Sequence, residues 1–63
     1  MISWADVKKG DTVLIRDYNT KEIVEVEVME FSPSRRYVKI RYKYSLSGSW
    51  IDTHEYELLE KLT

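Results

Sequence analysis

From residue 22 to residue 44 the chain alternates between apolar and charged side chains, on both sides of its single proline, Pro33. Val24, Val26 and Val28 share one parity, and Glu25 and Glu27 the other. Val38, Ile40, Tyr42 and Tyr44 then alternate with Tyr37, Lys39, Arg41 and Lys43. A period of two marks a half-buried strand, because successive side chains point to opposite faces of a sheet. The pattern predicts antiparallel strands over 22–31 and 36–44, joined by the loop Pro33-Ser34-Arg35. Proline presets the first φ of a type I turn, and the third loop residue then takes a left-handed conformation. That residue is Arg35, so the sequence predicts a positive φ and mild strain there, which glycine would relieve.

Counting outward from Ser32 opposite Arg36 sets Val28 against Ile40 and Val26 against Tyr42 on an inner face. The outer face then pairs Glu27 with Arg41, Glu25 with Lys43 and Phe31 with Tyr37. Opposite charges and paired aromatics each stabilise a sheet by ~0.2–1 kcal/mol. A slip of one residue would set valines against lysine and arginine, so the register is strongly specified.

The flanking segments add smaller elements. Ser3-Trp4-Ala5-Asp6 has capping-box spacing with Asp in the usual place of Glu, predicting a helical turn over 4–8 that closes near Gly10. Trp4 and Val7 would then cover one end of the core. A first strand is expected over 12–16 with Val13 and Ile15 inward, followed by a turn at Tyr18-Asn19-Thr20-Lys21. Ser45-Leu46-Ser47-Gly48 leads to a short strand over 49–52. The tail has two readings. Thr53 could cap a helix through Glu55, Leu58, Leu59 and Leu62, or a 3-10 turn at 53–56 could feed a last strand at 57–61. The strand-rich context favours the second.

Val7-Lys8-Lys9-Gly10-Asp11-Thr12-Val13 resembles the strand entry of SH3-like and Tudor-like barrels. Gly48-Ser49-Trp50-Ile51, the turn through Tyr56, and Leu58-Leu59 are similar to the closing segment of SH3 domains. The resemblance spans residues 7 to 62 in outline. It implies an all-β, five-stranded SH3-like small barrel with a short N-terminal helical turn and a 3-10 turn before the last strand. It also implies that Tyr56 is a groove residue. Where peptide-binding SH3 domains carry a strand-opening tryptophan and a proline before the 3-10 turn, this chain has Arg36-Tyr37 and Asp52. A Tudor-like cage for a methylated side chain would draw its walls from Tyr18, Tyr42, Tyr44 and Trp50, although Tyr42 and Tyr44 are better placed as core.

Sixty-three residues suffice for one domain, 1–63, with a thin core. A chain of this size buries only ~60% of its unfolded surface. There is no cysteine to staple it, and the single histidine, His54, gives no basis for a metal site or cofactor. No nucleophile–base pair and no glycine-rich phosphate loop is visible, so His54 reads as a solvated turn residue, the chain as a non-enzyme, and no small-molecule substrate is evident. The longest apolar run, Val13-Leu14-Ile15, is too short for a membrane span, and the start lacks a signal-peptide pattern, which predicts a cytoplasmic protein. A formal charge of −1 argues against indiscriminate nucleic-acid binding. The leading expectation is a module that docks a protein partner or itself, with Phe31, Tyr37, Trp50 and Tyr56 as contact residues. The second is a nucleic-acid-binding module using Arg35, Arg36, Lys39, Arg41 and Lys43.

Overall fold

The computed structural model describes residues 2–63. A 3-10 turn at Trp4–Asp6 precedes strands β1 (Thr12–Asp17), β2 (Ile23–Phe31), β3 (Tyr37–Tyr42) and β4 (Ser49–Asp52). A second 3-10 turn, Thr53–Glu55, then leads into β5 (Tyr56–Lys61), as the strand reading of the tail expects. All pairings are antiparallel, in the order β4-β3-β2-β1-β5.

The expected barrel is not closed: β4 and β5 are the two edges, and no ladder joins them. The reason lies in the connection. β4 has four residues, and the 3-10 turn that follows at once carries the chain from one edge to the other without room for pairing. The sheet is nonetheless strongly curled, since a flat sheet could not have a smallest extent of 21 Å.

The curl encloses Val7, Val13, Ile15, Val26, Val28, Val38 and Ile40, every one essentially inaccessible to water. Six of the seven are the inward parity of β1, β2 and β3, and all seven are β-branched, the side chains that pack best on a pleated surface. Trp4, Val24, Phe31, Ile51, Tyr56 and Leu58 pack around them. Val7 plugs one end. The Asp6 carboxylate accepts from the Ser3 backbone N–H at 3.2 Å, the capping-box contact that holds the turn before it.

The β2–β3 register matches the count in its inner half, with Val26 opposite Tyr42, Glu27 opposite Arg41 and Val28 opposite Ile40. Toward the tip it shifts by one: Glu30 lies opposite Lys39 and Phe31 opposite Val38. The tip loop is one residue longer than expected, because the Ser32 N–H donates to the Tyr37 carbonyl at 2.9 Å and leaves Pro33 to Arg36 in the turn. A β-bulge at Met29 absorbs the extra residue and reverses the facing beyond it. Phe31 therefore packs on the core instead of pairing with Tyr37 on the outer face.

β3 also ends sooner than expected. Tyr42 is 39% exposed at its end, and Tyr44 is 94% exposed in the following turn, so neither belongs to the core. The predicted Glu25–Lys43 pair lies past the end of the ladder.

Candidate functional site

The expected contact residues fall on different surfaces. Arg35 has the positive φ that its loop position demands, 62°. Its guanidinium lies 3.9 Å from the centroid of the Phe31 ring and donates to the Val7 carbonyl at 2.8 Å and the Trp4 carbonyl at 3.2 Å. Arg35 thus ties the hairpin tip to the N-terminal turn and covers Phe31. Arg36 pairs with Asp52 at 3.2 Å, which raises the guanidinium pKa further, and reaches over Tyr37. Arg41 pairs with Glu27. Lys39 lies between Glu30 and Trp50 in the ladders, and Lys43 reaches over Tyr44.

Tyr37 and Trp50 share the outer face of β3 and β4, where Trp50 is 50% exposed opposite Lys39. The loop before β4 is packed closely behind it. A Cβ on Gly48 would come within 2.8 Å of both Lys39 Cε and Met29 Sδ, so glycine lets those side chains cross there.

Tyr56 belongs to a different place. The Asp17–Tyr56 pairing of β1 with β5 is extended by the Tyr18 N–H, which donates to the Glu55 carbonyl at 3.1 Å. This bond draws the β1–β2 turn against the second 3-10 turn. The turn is held in shape by Asp17, whose carboxylate accepts from the Asn19 N–H at 2.7 Å and the Thr20 N–H at 3.3 Å. On the other side, buried Thr53 is fixed to the Arg36 carbonyl through both its N–H, 2.8 Å, and its hydroxyl, 2.7 Å. The Asp52 carboxylate caps the same turn by accepting from the His54 N–H at 2.9 Å, and that bond, with Arg36 beside it, holds the Asp52 carboxyl below its ordinary range.

Between these elements runs an open groove of about 550 Å³, lined by Ile2, Trp4, Tyr18, His54, Tyr56 and Leu58 together with Ser3, Thr53 and Glu57. Trp4, Tyr56 and Leu58 rest on the core while also facing the groove, and Tyr18 and His54 are exposed at its rim. Burial pushes the Tyr56 phenol up, and neighbouring Tyr42 and the carboxylates of Asp17 and Glu55 push it the same way. Trp4 Nε1 is a buried donor with no partner among the described residues. No three metal-binding side chains converge among those residues, and no helix there is long and apolar enough to cross a membrane.

Of the expected contact residues, only Tyr56 lies in this groove. Trp4 enters through the N-terminal turn, and Tyr18 and His54 through the β1–β5 pairing. An aromatic directly after β1 and another directly after the second 3-10 turn were the available signals. No family model, curated protein or solved structure matches this chain.

Proposed function

We propose that the chain is a non-catalytic module of SH3-like architecture that docks a segment of a protein partner in the groove between Trp4, Tyr18 and Tyr56. The groove itself carries this reading: a solvent-open channel that gathers Trp4, Tyr18 and Tyr56, with walls held by backbone hydrogen bonds before any partner arrives. Such preorganisation lowers the ordering cost of binding, and aromatic anchors supply large contact area with few rotatable bonds. The strand order, with a 3-10 turn before the last strand, supports the SH3-like comparison, as does the position of Tyr56.

The nucleic-acid reading ranks second because its residues are largely committed. Arg36 and Arg41 are paired with carboxylates, and the Arg35 fork is spent on backbone carbonyls. The outer-face pair Tyr37 and Trp50 lines none of the described cavities.

Selection from a random peptide library against the full chain tests the proposal. Recovered peptides should bind the parent and lose about fivefold or more in affinity to Tyr18→Ala, a loss of ~1 kcal/mol. Tyr37→Ala and Trp50→Ala should leave binding unchanged. Peptides that ignore Tyr18→Ala and depend on Trp50 would move the docking surface to the outer face and refute the assignment.

A further inference from the structure

The two walls of the groove are attached to the sheet in different ways. The Tyr18 and Tyr56 side is built into it: the Tyr18 N–H donates to the Glu55 carbonyl, and Thr53 is tied to the Arg36 carbonyl. The wall of Ile2, Ser3 and Trp4 has no such tie. Among the described residues, the backbone bonds of residues 2–6 close on their own turn, the Asp6 N–H donating to the Ser3 carbonyl at 2.9 Å and the Val7 N–H to the Trp4 carbonyl at 3.2 Å. The Asp6 carboxylate likewise bonds back to Ser3. The chain first bonds to a strand backbone at Gly10, whose N–H donates to the Val28 carbonyl at 2.8 Å. Val7, buried at the end of the core, is therefore the fixed point from which the turn projects.

Two features set the balance of this wall. The first is a bridge across Val7. Arg35 Nη2 donates to the Val7 carbonyl at 2.8 Å on the fixed side and to the Trp4 carbonyl at 3.2 Å on the turn. Its guanidinium also rests 3.9 Å from the centroid of Phe31, so Arg35 is anchored on the core side and holds the turn by one exposed bond. Among the described residues no other polar side chain reaches residues 2–6 from the rest of the molecule. The second feature is Trp4 itself. Its indole packs on the core, yet Nε1–H is buried with no acceptor among those residues. A buried donor left unpaired forfeits the bond it would make with water. Packing holds the indole in place against that cost, and outward movement removes the cost.

We infer that residues 2–6 form a flap that swings about Val7 with Arg35 as its latch. The groove then has the closed form described above and an open form in which Trp4 Nε1–H meets solvent or an acceptor on a docked segment. Opening breaks one exposed hydrogen bond and leaves every strand ladder intact, so it costs less than global unfolding. The flap makes the width of the proposed docking groove adjustable, but its motion needs no partner and is measured without one.

The experiment is native-state hydrogen exchange of the full chain, followed by NMR at the Trp4 indole N–H and at the amides of Val26 and Ile40. Relative to intrinsic rates, the Trp4 indole should exchange on the order of tenfold faster than the core amides or more. Low urea should hardly change its rate, the mark of an opening that exposes little surface. Ile40→Val weakens the core away from the flap, so it should speed the core amides and leave Trp4 unchanged. Arg35→Lys keeps the charge but loses the fork, and should speed Trp4 several-fold with urea still without effect. A Trp4 indole that exchanges together with the core amides, with their urea dependence and their response to Ile40→Val, would mean that the turn leaves only on global unfolding. That result overturns the flap and leaves the docking reading standing. Independent exchange of Trp4 that Arg35→Lys does not alter would overturn the latch.

Discussion

Replacing Arg35 by glycine sets two effects of similar size against each other. Glycine at φ 62° removes the steric cost of a side chain in the left-handed region, ~1 kcal/mol. Against that gain stand the contacts of the guanidinium. The bond to the Val7 carbonyl, 2.8 Å and partly buried, contributes ~1–1.5 kcal/mol. The longer, exposed bond to the Trp4 carbonyl contributes less, and the face of Phe31 adds ~0.5–1 kcal/mol. The losses exceed the gain by about 1 kcal/mol, so Arg35→Gly lowers stability, opposite to what turn geometry alone predicts. In a domain of this size that is a fall in Tm of roughly 4–8 °C, read by thermal unfolding and checked by urea titration. Arg35→Asn, whose residue type tolerates positive φ, should fall similarly, because the fork is lost in both. A Tm for Arg35→Gly at or above the parent value would show that the fork contributes nothing and that strain governs the turn.

Other outcomes follow from the core, the caps and the charges. Ile40→Ala removes a wholly buried side chain from a core of seven and should cost ~2–4 kcal/mol, leaving the chain largely unfolded at 37 °C by circular dichroism. Asp11 is held below the ordinary carboxyl range, first by the Lys8 N–H at 2.8 Å and also by Lys61, and Asp52 is held low by the His54 N–H and Arg36. Because both folded-state values are depressed, the stability they supply is present above the unfolded value of ~3.9 and is lost as pH falls through the lower folded values. Asp52→Asn should therefore show a shallower loss of stability below pH ~4 than the parent in acid titrations; an identical slope would contradict the assignment. At ~50 mM salt, where phosphate-driven complexes are strong, generic DNA and RNA should bind weakly, and replacing Lys39, Arg41 and Lys43 together by glutamine should change that little. A tight, salt-steep complex lost in the triple variant would restore the nucleic-acid reading.

What was legible in the sequence was whatever a period of two or a single turn determines. Val13, Ile15, Val26, Val28, Val38 and Ile40 are all inward as their parity requires, and the inner half of the β2–β3 register is as counted. Phe31 was misplaced because nothing in Val28-Met29-Glu30 announces a bulge, and one extra residue reverses every facing beyond it. Tyr42 and Tyr44 continue the inward parity of β3, but the ladder stops at Tyr42, and parity has no meaning past its last rung. The groove was harder still. Its walls come from residues 2–4, 18, 53, 54 and 56–58, brought together by β1–β5 pairing and by a single bond from Tyr18 to Glu55. Contacts over such separations leave no periodic trace, and of the contact residues expected from the sequence only Tyr56 lines the groove.

The position of β1 in the sheet also sets the order in which the molecule can assemble. β1 lies between β2 and β5, so one of its edges is satisfied by its neighbour in sequence and the other by the last strand. The Arg16–Glu57 contact spans 41 residues, most of the chain. The hairpin of β2 and β3 needs only local closure, whereas docking of β5 must await a long loop, so it belongs to the slow part of folding. Until then β1 presents an unpaired rim beside Val13 and Ile15, a template for any other extended chain nearby. On the ribosome that interval lasts until β5 has left the exit tunnel. A released chain truncated after residue 55 would carry the Thr53–Glu55 turn with β1 still open along one edge, making this the species most exposed to chaperones and to misassembly.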